Sequence, residues 1–267
     1  MISPIAFKIG PLAVRWYSLA YLFGLLGAWW TAKKLSARSS SLFTPDMITD
    51  FMLWAMLGII AGARIGYVLF YNSTVYLHNP AEIFALWHGG MSFHGGFCGV
   101  LVATFLYARK QKISFWDMSD IAACVAPLGL LLGRIANFIN GELYGRINFD
   151  IPWAVEFVAG GEFPRHPSQL YEAFAEGLLP FCVFVALWWF VPFVSKHRAF
   201  MSGLFLVWYA VARIVCEFFR QPDAQIGFVG EYFTMGQVLS LPLLFAGVII
   251  LCFATRKSER KKDDNGK

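Results

Sequence analysis

Seven apolar runs set the class of this chain: about Tyr17–Ala32, Met47–Tyr71, Ser92–Tyr107, Ile121–Asn140, Leu170–Val194, Met201–Phe219 and Met235–Ala254. A helix needs about 20 mostly apolar residues to cross the hydrocarbon core of a bilayer. Inside that core each backbone polar group must be satisfied within the segment, which leaves helices as the solution for runs of this kind. The fold expected is therefore an all-α integral membrane protein with seven transmembrane helices. Composition agrees: 58% of residues are hydrophobic and only 15% charged, too apolar for a soluble domain.

Lysine and arginine set the orientation. Alternate connections carry Lys33, Lys34 and Arg38, then Arg109, Lys110 and Lys112, then Lys196 and Arg198, then the basic tail from Arg256, fourteen positive charges in all. The opposite side carries five: Lys8, Arg15, Arg146, Arg165 and Arg220. The two sets alternate correctly with seven crossings, so the N-terminus is expected outside and the C-terminus in the cytoplasm. Residues 1–254 read as a single polytopic domain, with an outer insertion at about 141–167 and a basic tail at 255–267. A connection as long as Gly141–Pro167 usually has a task or its own fold. Pro80–Trp87 reads as a short helix at the interface. The N-terminus lacks the basic start and cleavage site of a removable signal peptide.

Glycines at four-residue spacing mark close helix contacts. They occur at Gly58, Gly62 and Gly66, at Gly95 and Gly99, and at Gly129 and Gly133. Pro127 is expected to kink its helix. The five cysteines are scattered over different runs without CxxC or ligand spacing, so no metal site is expected.

Polar residues inside the runs carry the functional signal. Arg64, Arg134 and Arg213 each lie six or seven residues before the outer end of their run. At 1.5 Å per residue that is roughly 10 Å below the outer surface. Tyr209, Arg213 and Glu217 share one helix face at i, i+4 and i+8, and Arg134 and Asn137 share another at i and i+3. His94 and Tyr17 open their runs at the same side. A pocket with more guanidinium than carboxylate is expected there, suited to a phosphate because the arginine fork gives two parallel hydrogen bonds and stays charged. A phospholipid headgroup entering from the outer leaflet matches that depth. The competing structural account is that each arginine pairs with a carboxylate and ties helices together, as Arg213–Glu217 or Arg64–Glu142.

Several segments together resemble the prolipoprotein diacylglyceryl transferase family: WYSLAYL at 16–22, GARIGYVLFY at 62–71, HGGMSFHGG at 88–96, GRIANFINGELYGR at 133–146, HPSQLYEA at 166–173, and the segment from Tyr209 through Arg213 and Glu217 to Asp223. The resemblance covers nearly the whole chain, and GRIANFINGE is its most specific part. It implies transfer of the diacylglyceryl group of phosphatidylglycerol to the thiol of a lipobox cysteine in a prolipoprotein signal peptide. A thioether forms and glycerol phosphate leaves. This is the first step of bacterial lipoprotein maturation, performed among membrane lipids in the cell inner membrane, with the N-terminus and the 141–167 cap periplasmic. No cofactor and no nucleic acid is implied.

That chemistry assigns roles. A thiol with pKa about 8.5 needs a base, and His94 is the candidate. The departing phosphate needs fixed positive charge, from Arg134 and Arg213. Asn137 and Glu142 are candidates for the glycerol hydroxyls, Tyr17 and Tyr209 for the phosphate or for positioning the base, and Gly145 for a close backbone approach. Arg64 and Glu217 complete the substrate-binding set, Glu217 as the orienting partner of Arg213. The rival from another class is an anionic-lipid transporter or flippase with an arginine-lined outer-leaflet site. Against it stand the off-centre depth of the three arginines and the lack of an inverted repeat.

Overall fold

A computed structural model describes residues 3–10, 12–38, 43–70, 73–222, 227–230 and 232–257. Tyr71, Asp223 and the tail beyond Lys257, on which parts of the sequence reading fell, lie outside the described residues. The described chain is mostly helical. Its helices are α1 (Trp16–Arg38), α2 (Pro45–Phe70), α3 (Ser73–His78), α4 (Phe93–Gln111), α5 (Phe115–Asn140), α6 (Ser168–Glu172), α7 (Leu179–Phe190), α8 (Pro192–Lys196), α9 (Phe200–Cys216) and α10 (Met235–Lys257). Three short antiparallel pairs accompany them: β1 (Ile5–Ile9) with β2 (Leu12–Arg15), β3 (Val155–Glu156) with β4 (Pro164–Arg165), and β5 (Phe228–Val229) with β6 (Phe233–Thr234). Four helical stretches, Pro45–Phe70, Phe115–Asn140, Ser168–Phe190 and Met235–Thr255, are long and apolar enough to cross a membrane, and α9 is a shorter apolar helix. The remaining two apolar runs of the sequence fall within α1 and α4.

The chain divides into two compact units, Ser40–Ser119 and Met1–Ser39 with Asp120–Lys267. In the smaller unit α2 packs on α4 through the glycines that the sequence singled out. A Cβ at Gly62 would lie 2.3 Å from the Gly95 carbonyl oxygen, and one at Gly99 would lie 2.0 Å from that of Gly58. No side chain fits there, so the two backbones touch directly, as small-residue seams allow. Ser92 caps α4, its hydroxyl accepting from the Gly95 N–H at 3.2 Å.

In the larger unit, Gly129 and Gly133 differ from that pattern: a Cβ at either would meet nothing within 4 Å. The close approach to α5 comes instead from Gly177, where a Cβ would sit 2.6 Å from the Leu131 Cα. Gly177 lies in a π-helical turn, Ala173–Leu178, that joins α6 to α7 in one continuous helix. Pro180 explains the turn. In a regular α-helix its ring would collide with the carbonyl four residues back, and the wider π turn makes room. The start of α9 is held by Asp120, fully buried, which accepts from the Ala199 and Ser202 N–H groups at 2.8 and 2.9 Å. A carboxylate at a helix N-terminus satisfies free donors and complements the helix dipole.

Candidate functional site

The π turn and the Gly177 contact bring two carboxylates against α5 and α9. Glu172 and Glu176 are buried to 0% and 1% exposure. Arg134 directs Nε and Nη2 to Glu176 Oε2 at 3.3 and 3.1 Å, and its Nη1 lies 2.9 Å from Glu172. Arg213 donates from Nη1 to the same Glu172 oxygen at 2.8 Å, stands 3.5 Å from Glu176 Oε1, and reaches Glu217 at 2.5 Å through Nη2. Arg220 closes the cluster, donating to Glu172 Oε1 at 3.2 Å. Tyr209, one turn before Arg213, stacks on Phe205 and is in electrostatic reach of Arg134, Arg213, Glu172 and Glu176.

Two expected members, Arg134 and Arg213, are thus joined through shared carboxylates. The expected excess of guanidinium is not found: Arg134, Arg213 and Arg220 face Glu172, Glu176 and Glu217, three against three. The carboxylates do not enclose the arginines completely. Side chains of Arg134 and Arg213 keep 16% and 13% of their exposure while those of Glu172 and Glu176 keep none. The two arginine side chains thus keep some exposure where the carboxylates that hold them keep none.

Past Arg134, the end of α5 forms a second polar group. Asn137 is buried and donates to Glu142 Oε1 at 2.8 Å, and Asn140 donates to the same oxygen at 3.3 Å, leaving Glu142 itself exposed. The segment 141–167 is folded. Gln169 donates to the Glu142 carbonyl at 2.7 Å, Arg146 Nε to the Arg220 carbonyl at 3.0 Å, and Arg165 Nη2 to the Gly160 carbonyl at 2.7 Å. Trp153 donates to the Tyr171 hydroxyl, which stands 3.1 Å from His166 Nδ1. Burial holds the His166 imidazole below its ordinary pKa, which suits a neutral ring accepting from Tyr171. Gly145 is enclosed rather than open to a ligand: a Cβ there would meet the His166 and Phe219 carbonyl oxygens at 2.4 and 2.7 Å. Its close backbone approach is to the protein itself. Tyr17 is half-buried and packs on Tyr21 with ring centroids 5.1 Å apart.

The remaining candidates belong to the smaller unit. Arg64 is only 3% exposed, and all five of its N–H donors meet backbone carbonyls. Nε donates to Ile83 at 2.8 Å, Nη1 to Gly89 and to Gly90, and Nη2 to Glu82 and to Ala85. No donor is left for a substrate, and the expected Glu142 partner is replaced by main chain. The short helix expected at Pro80–Trp87 is present in 3₁₀ rather than α form. It folds as two 3₁₀ turns, Pro80–Phe84 and Leu86–His88, because carbonyls turned toward the guanidinium cannot continue an α-helical ladder. His94 is exposed in the first turn of α4, two residues after the Ser92 cap.

Sequence reasoning missed Glu172, Glu176, Gln169 and Arg220. Two of them carried a signal: carboxylates four residues apart at the head of an apolar run are as costly as an intramembrane arginine and deserve the same accounting.

The family described as prolipoprotein diacylglyceryl transferase matches residues 4–253 of the chain. A phosphatidylglycerol–prolipoprotein diacylglyceryl transferase of Rhodospirillum rubrum is 53% identical over 256 residues, 96% of this chain and 93% of the relative. Proteins of the same name from Brucella canis and Brucella ovis are 50% and 49% identical over 266 residues, each covering 97% of this chain and 94% of the relative.

Proposed function

Because the chain belongs to the prolipoprotein diacylglyceryl transferase family, we propose that Arg134 and Arg213 hold the phosphate of phosphatidylglycerol while its diacylglyceryl group moves to a prolipoprotein thiol. The protein is a transferase of lipoprotein biosynthesis, and the overall reaction is the first step of lipoprotein maturation. The observation that carries the site assignment is the pair of guanidinium forks from α5 and α9, fixed on shared buried carboxylates and still partly exposed. Charged donors fixed in advance stabilise charge that develops on a leaving group most strongly where water is scarce.

In the reaction a cysteine thiolate attacks an sp3 carbon of the glyceryl group. The carbon–oxygen bond to the phosphate breaks, and glycerol phosphate leaves with the electron pair. Glu142, exposed beside Asn137, is the proposed ligand for the glycerol hydroxyls of the headgroup. His94 is the proposed base for the thiol, on the chemistry of imidazole near neutral pH. Tyr209 is the proposed hydroxyl donor beside the arginines. Arg64 has no place among the substrate ligands, since its donors are used.

Seven helical segments match the seven apolar runs, and the alternation of lysine and arginine supports seven crossings with the C-terminus in the cytoplasm. On that arrangement α5 and α9 place the arginine pair toward the outer leaflet of the bacterial inner membrane. The 141–167 segment then caps the site and receives the lipobox of the precursor.

The test is a reconstitution of purified protein, phosphatidylglycerol and a lipobox peptide, read by mass spectrometry. A diacylglyceryl mass gain on the peptide cysteine is expected, and it should vanish with Arg213→Gln in protein shown to remain folded. Lipid movement between leaflets without any mass gain would favour a transporter. Full turnover by both Arg134→Gln and Arg213→Gln would overturn the site assignment.

A further inference from the structure

The buried cluster is electrically closed before any substrate arrives, and a phosphodiester adds one negative charge. Three guanidinium groups face three carboxylates in the larger unit. Bringing a further anion onto Arg134 and Arg213 leaves the group one charge in excess, in surroundings where an uncompensated charge is costly. Either a buried carboxylate moves into water or one of them takes a proton. Glu172 and Glu176 have no exposed surface through which to leave.

The geometry singles out which carboxylate gives way. Glu172 is held by three arginines at 2.8 to 3.2 Å. Glu217 has a 2.5 Å contact with Arg213. Glu176 is held least: its bonds to Arg134 are 3.1 and 3.3 Å, and its Oε1 is buried with no hydrogen-bond donor among the described residues. The nearest cation to that oxygen is Arg213 at 3.5 Å. The charged and titratable groups facing Glu176 are Arg134 from α5, Arg213, Tyr209 and Cys216 from α9, and Glu172 from α6. An oxygen without a donor is where a carboxylic acid can carry its proton without giving up an existing bond.

We propose that Glu176 takes up one proton when the anionic lipid docks on Arg134 and Arg213, and returns it to the phosphate as that group departs. The proposal rests on the lipid site assigned above. On docking, the phosphodiester replaces the Glu176 carboxylate as partner of Arg134, and a proton from solvent neutralises the displaced oxygen. At the chemical step the thiol proton goes to the base, the sulfur pair forms the carbon–sulfur bond, and the carbon–oxygen pair stays on the phosphate oxygen. The Glu176 proton passes to the released phosphate monoester, which leaves as a monoanion. Glu176 is then a carboxylate again and re-forms its pair with Arg134. Each cycle consumes one proton at lipid binding and yields one at the base, so charge balances throughout.

The test is a proton count. Short-chain phosphatidylglycerol is titrated into the full-length protein in detergent micelles at pH 7, by calorimetry in two buffers of different protonation enthalpy. About one proton taken up per lipid is expected for the native protein and none for Glu176→Gln. Glu176→Gln should bind the lipid at least as tightly as the native protein, while kcat falls by about 10²- to 10⁴-fold, the usual range for a lost acid or base. A merely structural ion pair would weaken binding and would leave the proton count of the folded protein unchanged. Lipid binding by the native protein without proton uptake overturns the proposal even if Glu176→Gln does not fold, and so does unchanged uptake in a folded Glu176→Gln. Equal lipid binding by Arg213→Gln and the native protein would instead overturn the lipid site itself.

Discussion

Arg64 and the Arg134–Arg213 pair solve the same problem in opposite ways. Each guanidinium lies in an apolar helix and needs acceptors. Arg64 finds neutral ones, five backbone carbonyls that use every donor and leave its charge uncancelled. Arg134 and Arg213 find carboxylates, which cancel their charge while each side chain keeps some exposure. A carbonyl socket turns an arginine into a clamp on a loop. A carboxylate backing turns it into a fixed fork whose anion can be exchanged. Burial and charge alone do not distinguish the two arrangements; the nature of the acceptors does.

The sharpest way to break that contrast is to delete each arginine. Arg213→Ala or Arg134→Ala should reduce diacylglyceryl transfer to background, because the leaving phosphate loses its charged donor. Each also strands buried Glu172 and Glu176, at about 3–5 kcal/mol of stability for an uncompensated buried charge. Arg213→Lys separates the two effects. It keeps the charge but not the planar fork, so the protein should stay folded while turnover falls by about 10²- to 10³-fold, as for loss of one preorganised donor. Lysine at either position working as well as arginine would remove the argument from fork geometry.

Arg64→Met should act on stability first. It leaves five carbonyls of residues 82–90 without their donor, and each that water cannot reach costs about 1–3 kcal/mol. A loss of roughly 3 kcal/mol is expected in detergent melting, with the KM for phosphatidylglycerol unchanged in the fraction that remains folded. A selective rise in lipid KM would place Arg64 in the lipid site after all.

This contrast also shows what was legible in the residues. The apolar runs gave the helices, because length and hydropathy decide what a membrane can hold. The glycine seam of α2 with α4 was readable because Gly58, Gly62, Gly66, Gly95 and Gly99 repeat at one helical spacing. Gly129 and Gly133 have that spacing and no such contact, since spacing states only that a close approach is possible. Arg134 and Arg213 could be picked out as a pair, but their acceptors could not. Glu172 sits beside Arg134 only because a π turn before Pro180 and the contact of Gly177 with Leu131 aim it there. Backbone acceptors such as those around Arg64 have no sequence signature, because every residue carries a carbonyl.

Glycine substitutions test the packing behind each arginine at smaller cost. Gly177→Ala pushes a methyl to 2.6 Å from the Leu131 Cα, so the turn bearing Glu176 must shift away from Arg134. Overpacking of this kind costs about 1–3 kcal/mol. Here turnover should fall further than the melting temperature implies, because the carboxylate backing is displaced. Gly62→Ala makes a comparable clash with Gly95 and should cost similar stability without changing lipid KM. Equal kinetic damage from both would mean that activity follows general stability rather than the carboxylate backing.

The finest test concerns the uncancelled charge of Arg64. Its guanidinium carbon lies 5.2 Å from the centre of the Tyr76 ring, whose π face offers the electron density that neutral carbonyls only partly supply. At a cation as buried as Arg64, 3% exposed, an aromatic face is worth about 1–2 kcal/mol. Tyr76→Phe keeps the face and should melt with the native protein. Tyr76→Leu removes it and should lower stability by about that amount, with transfer unaffected. The difference should disappear in an Arg64→Met background, since the ring then has no cation to stabilise. If it persists there, the ring contributes packing alone, and the carbonyl socket by itself accommodates the charge of Arg64.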